Sequence, residues 1–523
     1  MPKGCRRRIK KCFGKGRKFP VICSLNSSGP SVGIIQKQGI QNTVISYAGM
    51  ALGYVNTILL MPNFLTTEQV GLTTLLVSLA TMFAQFSALG FGNMSIRFFP
   101  HFRNKEKQHH GFLFLLLSVP MLGFLLVTGL FILLKPKILA HYADKNADLL
   151  LEYYYYIVVL AFFTLLYMLQ EAYLKSLYKT VVPSFVQDFL LRLLISLSVT
   201  VYALGWIDFK QFVLLFIGVN SITSLVLLVY IVFLKQFFIR PSRQAFSIRP
   251  IGEIIAYGLF AFTGNISATI INTVDSLMIL DYLSLSEVGI YRVAVIVTSA
   301  IAVPGRSMLK IVVPQVSDYW KNNDMKAMDV IYKRVTSVNL VICSLVFIGI
   351  WANIDNIFSI LPKDYAGGKY VFFFMGLARL FDMATGINGS ILLTSPKYRY
   401  DLLFSVLLAA LTIFTNYIFI PIYGINGAAF ASMLTYFAIN LLRLGFVWYV
   451  YKIQPFGWQS LLLLGIATLA FALSTMIPVL PDVWLDIVMR SAAIVVLYGF
   501  LILFLKASPD ATRLWQTIRS RIL

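Results

Sequence analysis

Apolar stretches of about twenty residues, recurring along almost the whole chain, constrain this sequence more than any other feature. Wound as a helix, such a stretch crosses the roughly 30 Å hydrocarbon core of a bilayer. Inside lipid, only a helix or a closed barrel satisfies its own backbone. Barrel strands would alternate over about ten residues, and these stretches do not alternate. With 58% hydrophobic and only 13% charged residues, the 523-residue chain is too apolar for a soluble domain. The expectation is an all-α integral membrane protein with about 14 transmembrane helices.

A net charge of +22 would point to nucleic acid in a soluble protein. Here the basic residues lie mainly in short loops and at the two ends, where they report topology and contact with membrane lipids, so no nucleic-acid partner is expected. With the N-terminus placed inside, loops on the cytoplasmic side hold about 33 Lys and Arg against about six on the other. That asymmetry predicts an even number of spans with both termini cytoplasmic. Cys5, Cys12, Cys23 and Cys343 have neither metal-ligand nor disulfide-framework spacing, so no metal site is expected.

The chain divides at a basic, proline-bearing segment, KQFFIRPSRQAFSIR, between two halves of six spans each. The turn LTTEQVG at Leu65 follows the first span of the first half, and LSLSEVG at Leu283 follows the first span of the second. Each second span then ends near a proline, Pro100 or Pro314. Because six is even, both halves enter from the same side, which predicts a parallel repeat about an axis along the membrane normal. The expected domains are a basic cytoplasmic tail (1–34), an N-lobe (35–234), a cytoplasmic hinge (235–250), a C-lobe (251–453), two further spans (454–506) and a second basic tail (507–523). Gly71 and Gly289 are expected to permit tight turns into the next helix.

These two lobes plus a final pair, the LTTEQVGL-type turn, and PIYGINGAAFAS from Pro421 to Ser432 resemble polysaccharide-biosynthesis flippases. The resemblance runs from Ile35 to Lys452, and the Tyr423, Gly424, Asn426, Gly427 cluster is its most specific part. The same superfamily holds multidrug and toxin extrusion antiporters and lipid II flippases. The resemblance implies alternating-access movement of undecaprenyl-pyrophosphate-linked oligosaccharide across the bacterial inner membrane, in association with polysaccharide polymerase and glycosyltransferases. It implies no cofactor beyond a coupling ion, H+ or Na+.

Charges inside apolar spans cost roughly 3 kcal/mol or more, so each needs a partner, water or a function. Asp188 and Arg192 are four residues apart and fit either an internal ion pair or an arginine facing an anionic ligand. Arg379 and Asp382 repeat the theme three apart. Asp275 lacks a basic partner on its own helix; it is neutral, paired with another helix such as that of Arg379, or a coupling site. Glu171 fits a four-residue pair with Lys175. Arg443, unpaired locally, is expected to face the cytoplasmic half of a cavity. Arg97, Arg306 and Lys310 are expected to anchor at the interface. Arg192, Arg379 and Arg443 are thus the candidate substrate-binding residues, and Asp275, Asp382 and Glu171 the candidate coupling or cavity acids.

A lipid-linked oligosaccharide needs cationic groups for its phosphates, which these arginines supply. A cation-coupled drug antiporter would favour an acid-lined cavity poor in arginine. A membrane polymerase or glycosyltransferase would need a catalytic cluster, and no residues have catalytic or metal spacing. Transport without covalent chemistry is the expectation, with no catalytic residues.

Overall fold

In the computed structural model, residues 32–142, 148–240 and 251–522 are described. Residues 1–31 of the N-terminal basic tail and residues 241–250 of the hinge lie outside the described residues. Among the described residues the chain is helical, with no strand. The apolar runs leave it little choice, since a helix is the one open structure that closes its own hydrogen bonds in lipid.

Helix α1 (Val32–Tyr54) runs through a π-helical turn, Val55–Leu60, into Met61–Phe64. Helix α2 (Thr67–Ala88) breaks at the left-handed pair Leu89 and Gly90 and resumes as α3 (Phe91–Phe102). Then follow α4 (Phe112–Tyr142) and α5 (Tyr154–Ser176). Helix α6 (Leu191–Ala203) is approached through Val181–Ser184 and a second π-helical turn, Phe185–Leu190. Helix α7 (Phe209–Phe233) closes the first half.

The second half comprises α8 (Ile251–Tyr282), α9 (Leu285–Asn322), α10 (Met325–Ala352), α11 (Lys369–Ala384), the short α12 (Asn388–Thr394) and α13 (Arg399–Tyr451). Helices α14 (Trp458–Ser474) and α15 (Val483–Phe504) share an apolar cluster with α10 and α11. The last stretch, expected as a plain tail, forms α16 (Pro509–Ile522), tied to α10 by Arg334 donating to Asp510 at 2.7 Å.

Helix α13 doubles back at Gly424, whose φ of 61° and ψ of −140° suit a residue without a Cβ. The hydroxyls of Thr415 and Thr435 lie 3.0 Å apart, whereas a straight helix would hold them ~30 Å apart. Among the described residues ten helices are long and apolar enough to cross a membrane, or eleven with the 51° bent pair at α11 and α12 counted as one span. The larger expected number, about 14, also counts α8, each limb of α13 and the 17-residue α14 as spans.

The two repeated turns meet each other. Thr66 caps α2, accepting from the Gln69 backbone N–H at 3.2 Å while Gln69 Oε1 accepts from the Thr66 N–H at 3.0 Å. At the equivalent place Ser284 caps α9, accepting from the Glu287 N–H at 3.3 Å. The helices then cross so closely that a Cβ on Gly71 would lie 2.0 Å from the Leu285 carbonyl oxygen. One on Gly289 would lie 2.0 Å from that of Thr67, the matching atom of the other half. Thr67 Oγ1 and Ser286 Oγ sit 2.6 Å apart beside them. The expectation for the two glycines is therefore corrected: they sit inside helices with ordinary φ, and the absent side chain serves backbone approach rather than turning.

Candidate functional site

Between the halves lies a cavity of about 650 Å3, with walls from α1, α2, α6, α7, α8, α9, α11 and α13. The close α2–α9 crossing lies beyond its end near Val70. Toward the other end Tyr47 on α1 meets the Ser307 hydroxyl on α9, and Asn93 donates to Asn265 on α8 at 3.0 Å.

Arg192 and Arg379 both reach this cavity. Of the two readings of Asp188 and Arg192, the ion pair does not form. The π-helical turn at Phe185–Leu190 inserts extra backbone between them, so a four-residue spacing no longer returns to one face. Each turns to α1 instead. Arg192 Nη1 donates to the Gly49 carbonyl at 2.6 Å, and the Asp188 carboxylate accepts from Ser46 at 2.8 Å. A Cβ on Gly53 would lie 2.7 Å from Arg192 Nη1, so small residues of α1 make room for the guanidinium.

Arg379 does not pair with Asp382 either. Its Nη1 makes a long hydrogen bond of 3.4 Å to Tyr436, whose ring centroid lies 5.4 Å from the guanidinium carbon, and its Nε is buried without a partner. Asp382 accepts from Asn440 at 3.1 Å and is not part of the cavity wall.

Asp275 is buried in the wall and held by three neutral donors from two other helices. Tyr291 donates at 2.7 Å, Asn416 at 2.7 Å and Ser432 at 2.9 Å, which engages both carboxylate oxygens. It makes no ion pair with Arg379. Asn416 and Ser432 reach it together because α13 folds back at Gly424 and brings its two limbs side by side.

Two expected members stand elsewhere. Arg443 is not in the cavity wall; it bridges the limbs of α13, 3.2 Å from Asp401 and 3.3 Å from the Ser405 hydroxyl. The fold-back supplies the partner that its own helical turn lacks. Glu171 pairs with Lys175 at 2.8 Å, half-exposed and outside the wall.

Two arginines that the sequence did not point to complete the site. Arg292 lies only three residues beyond Gly289, where a charge reads as the edge of a span. Arg306 was expected at the interface. Both present exposed side chains to the cavity from α9. Neither has a hydrogen bond or ion pair with another described residue. The site therefore gathers four guanidiniums against two carboxylates, Asp188 and Asp275. None of the four is within 4.0 Å of a carboxylate among the described residues.

Set beside known proteins, this arrangement has clear relatives in fold. No curated protein matches the chain in sequence. A solved structure titled lipid II flippase MurJ, inward closed conformation, superposes with a TM-score of 0.69 at 12% identity, covering 89% of this chain and 99% of that one. An inward-facing multidrug resistance MATE family transporter of the MOP superfamily gives 0.52 at 14% identity, over 81% of this chain and 96% of its own. A point mutant of the Vibrio cholerae MATE transporter VcmN gives 0.52 at 10% identity, over 80% of this chain and 97% of its own. At these identities the likeness is one of fold, and the chain has the helical membrane-transporter architecture that they share. The family described as polysaccharide biosynthesis protein matches residues 35–320, more than half of the chain, and the protein belongs to that family.

Proposed function

We propose that the protein is a flippase that moves an oligosaccharide, linked through pyrophosphate to undecaprenol, across the bacterial inner membrane by alternating access. The observation that carries this reading is the set of four cavity arginines with no carboxylate partner among the described residues. Holding unpaired charges at membrane depth costs several kcal/mol each, a cost offset when an anion is bound between them. A cationic drug would meet repulsion there, which weighs against an antiporter with this cavity. Membership of the polysaccharide biosynthesis family supports the same substrate class. The polymerase and glycosyltransferases that consume and make such a carrier are the proposed functional partners. Both termini are proposed to be cytoplasmic.

Asp275 is the proposed coupling group. It is the buried carboxylate of the cavity wall, and a proton or Na+ arriving there would rearrange the Tyr291, Asn416 and Ser432 bonds that tie α8 to α9 and α13. Arg192 and Arg379 are the proposed substrate contacts.

The test is a proteoliposome assay with a fluorescent lipid-linked oligosaccharide whose label is quenchable only from outside. The expected result is protein-dependent loss of sidedness, slowed by Asp275→Asn and by removal of either the proton or the sodium gradient. Undiminished sidedness of the oligosaccharide, with counterflow of a cationic dye instead, would sink the proposal in favour of antiport.

A further inference from the structure

We infer that the cavity carries two anion stations in series on one helix: Arg306, and then Arg292 together with Arg192. The phosphate group of the cargo is handed along α9 rather than bound at one central point. The inference rests on the flippase reading above and divides its anion site into two.

Arg292 and Arg306 stand on one helix, with Pro304 between them, and face one cavity. Their fourteen-residue separation places them within ~40° of the same face and ~21 Å apart along the axis. Side chains of a helix lean toward its N-terminus, so both arginines tilt the same way and the offset between their guanidiniums persists. A pyrophosphate, two phosphorus atoms joined through one oxygen, is too short to engage both at once.

Their surroundings differ as well. Arg292 shares the cavity wall with Arg192, and Arg192 is fixed by the Gly49 carbonyl. That station offers two guanidiniums, one anchored and one free, suited to a doubly charged group. Arg306 adjoins Ser307, which holds Tyr47 at the end of the cavity remote from Thr67, and meets cargo arriving from that end first.

Midway between the stations, seven residues from each, Ser299 on α9 meets the Tyr54 hydroxyl of α1 at 3.0 Å. Both residues line the cavity, so a cross-brace separates the two arginines along the path. Serial sites also solve a general difficulty of transport: a single strong anion site would hold its cargo, whereas stepwise sites allow capture and release.

Inorganic pyrophosphate is the probe, because it carries the recognised group without a lipid tail. Equilibrium binding to the purified full-length chain in detergent is expected to give two sites per chain. Arg292→Gln and Arg306→Gln are each expected to leave one site and the double variant none. Arg292→Lys is expected to restore the second site with affinity about tenfold weaker, since lysine keeps charge but not the fork. Each variant is compared with wild type in thermal unfolding, and because neither arginine has a partner among the described residues the midpoints are expected not to fall.

One wild-type site, whether abolished by both single variants or by only one, overturns the two stations while leaving an anion-binding flippase intact. A preparation that flips lipid-linked oligosaccharide but binds no pyrophosphate overturns them as well. Neither binding nor flipping would take the flippase reading down with them.

Discussion

Arginines inside this helical bundle live under two regimes. Away from the cavity, Arg443 sits 3.2 Å from Asp401, and Arg490 sits 3.2 Å from Asp486, with Asn356 also bonding that carboxylate. Around the cavity, Arg192 and Arg379 are steadied by a carbonyl and a tyrosine, and Arg292 and Arg306 by no described residue. The contrast separates charges that hold helices together from charges kept for something that arrives. A buried ion pair is costly to break from one side, because the remaining charge is stranded. A guanidinium facing a polar cavity strands nothing when it is removed.

Substitution can break that contrast in graded steps. Arg443→Ala should cost about 3 kcal/mol or more by leaving Asp401 unpaired, read as a lower unfolding midpoint, and the Arg443→Leu, Asp401→Leu double variant should recover most of it. A double variant as unstable as the single one would show that the pair is not what matters. Gly71→Ala and Gly289→Ala should each cost about 1–3 kcal/mol, because a methyl group cannot enter the 2.0 Å gap to the facing carbonyl. Near-equal losses are expected, since the two contacts are mirror members of one repeat; a large inequality would end the symmetric description of that crossing.

For the cavity group the expectation reverses. Arg379→Ala should lower flipping about tenfold with no fall in the unfolding midpoint, as its 3.4 Å bond to Tyr436 is weak. A large loss of stability with full flipping per folded molecule would move Arg379 to the structural class. Smallest of all, Tyr47→Phe should weaken the α1–α9 contact by about 1 kcal/mol, raising thiol labelling of an Asn272→Cys probe in the cavity wall about fivefold. Unchanged labelling would remove that hydroxyl contact as a closure.

Part of the site was legible because a charge in the middle of an apolar run has few places to go. Arg192, Arg379 and Asp275 stood out on that ground, and all three reach the cavity. Arg292 and Arg306 did not, because α9 is 38 residues long, ~57 Å of helix against a core of roughly 30 Å. Depth along such a helix depends on how it is set in the bundle. Arg443 misled for a related reason: its partner lies forty-two residues away, across a fold-back.

What the residue order determined alone is the helical, membrane-spanning character and the twofold plan, because lipid forces every backbone group to pair within its own span and because LTTEQVG and LSLSEVG are helix starts in equivalent places. Tertiary structure alone decided which charges pair and which remain open. That choice turns on two departures from the regular helix, the π-helical turn at Phe185–Leu190 and the reversal at Gly424. Each changes which side chains share a face, and helical spacing counted along the chain fails at those points.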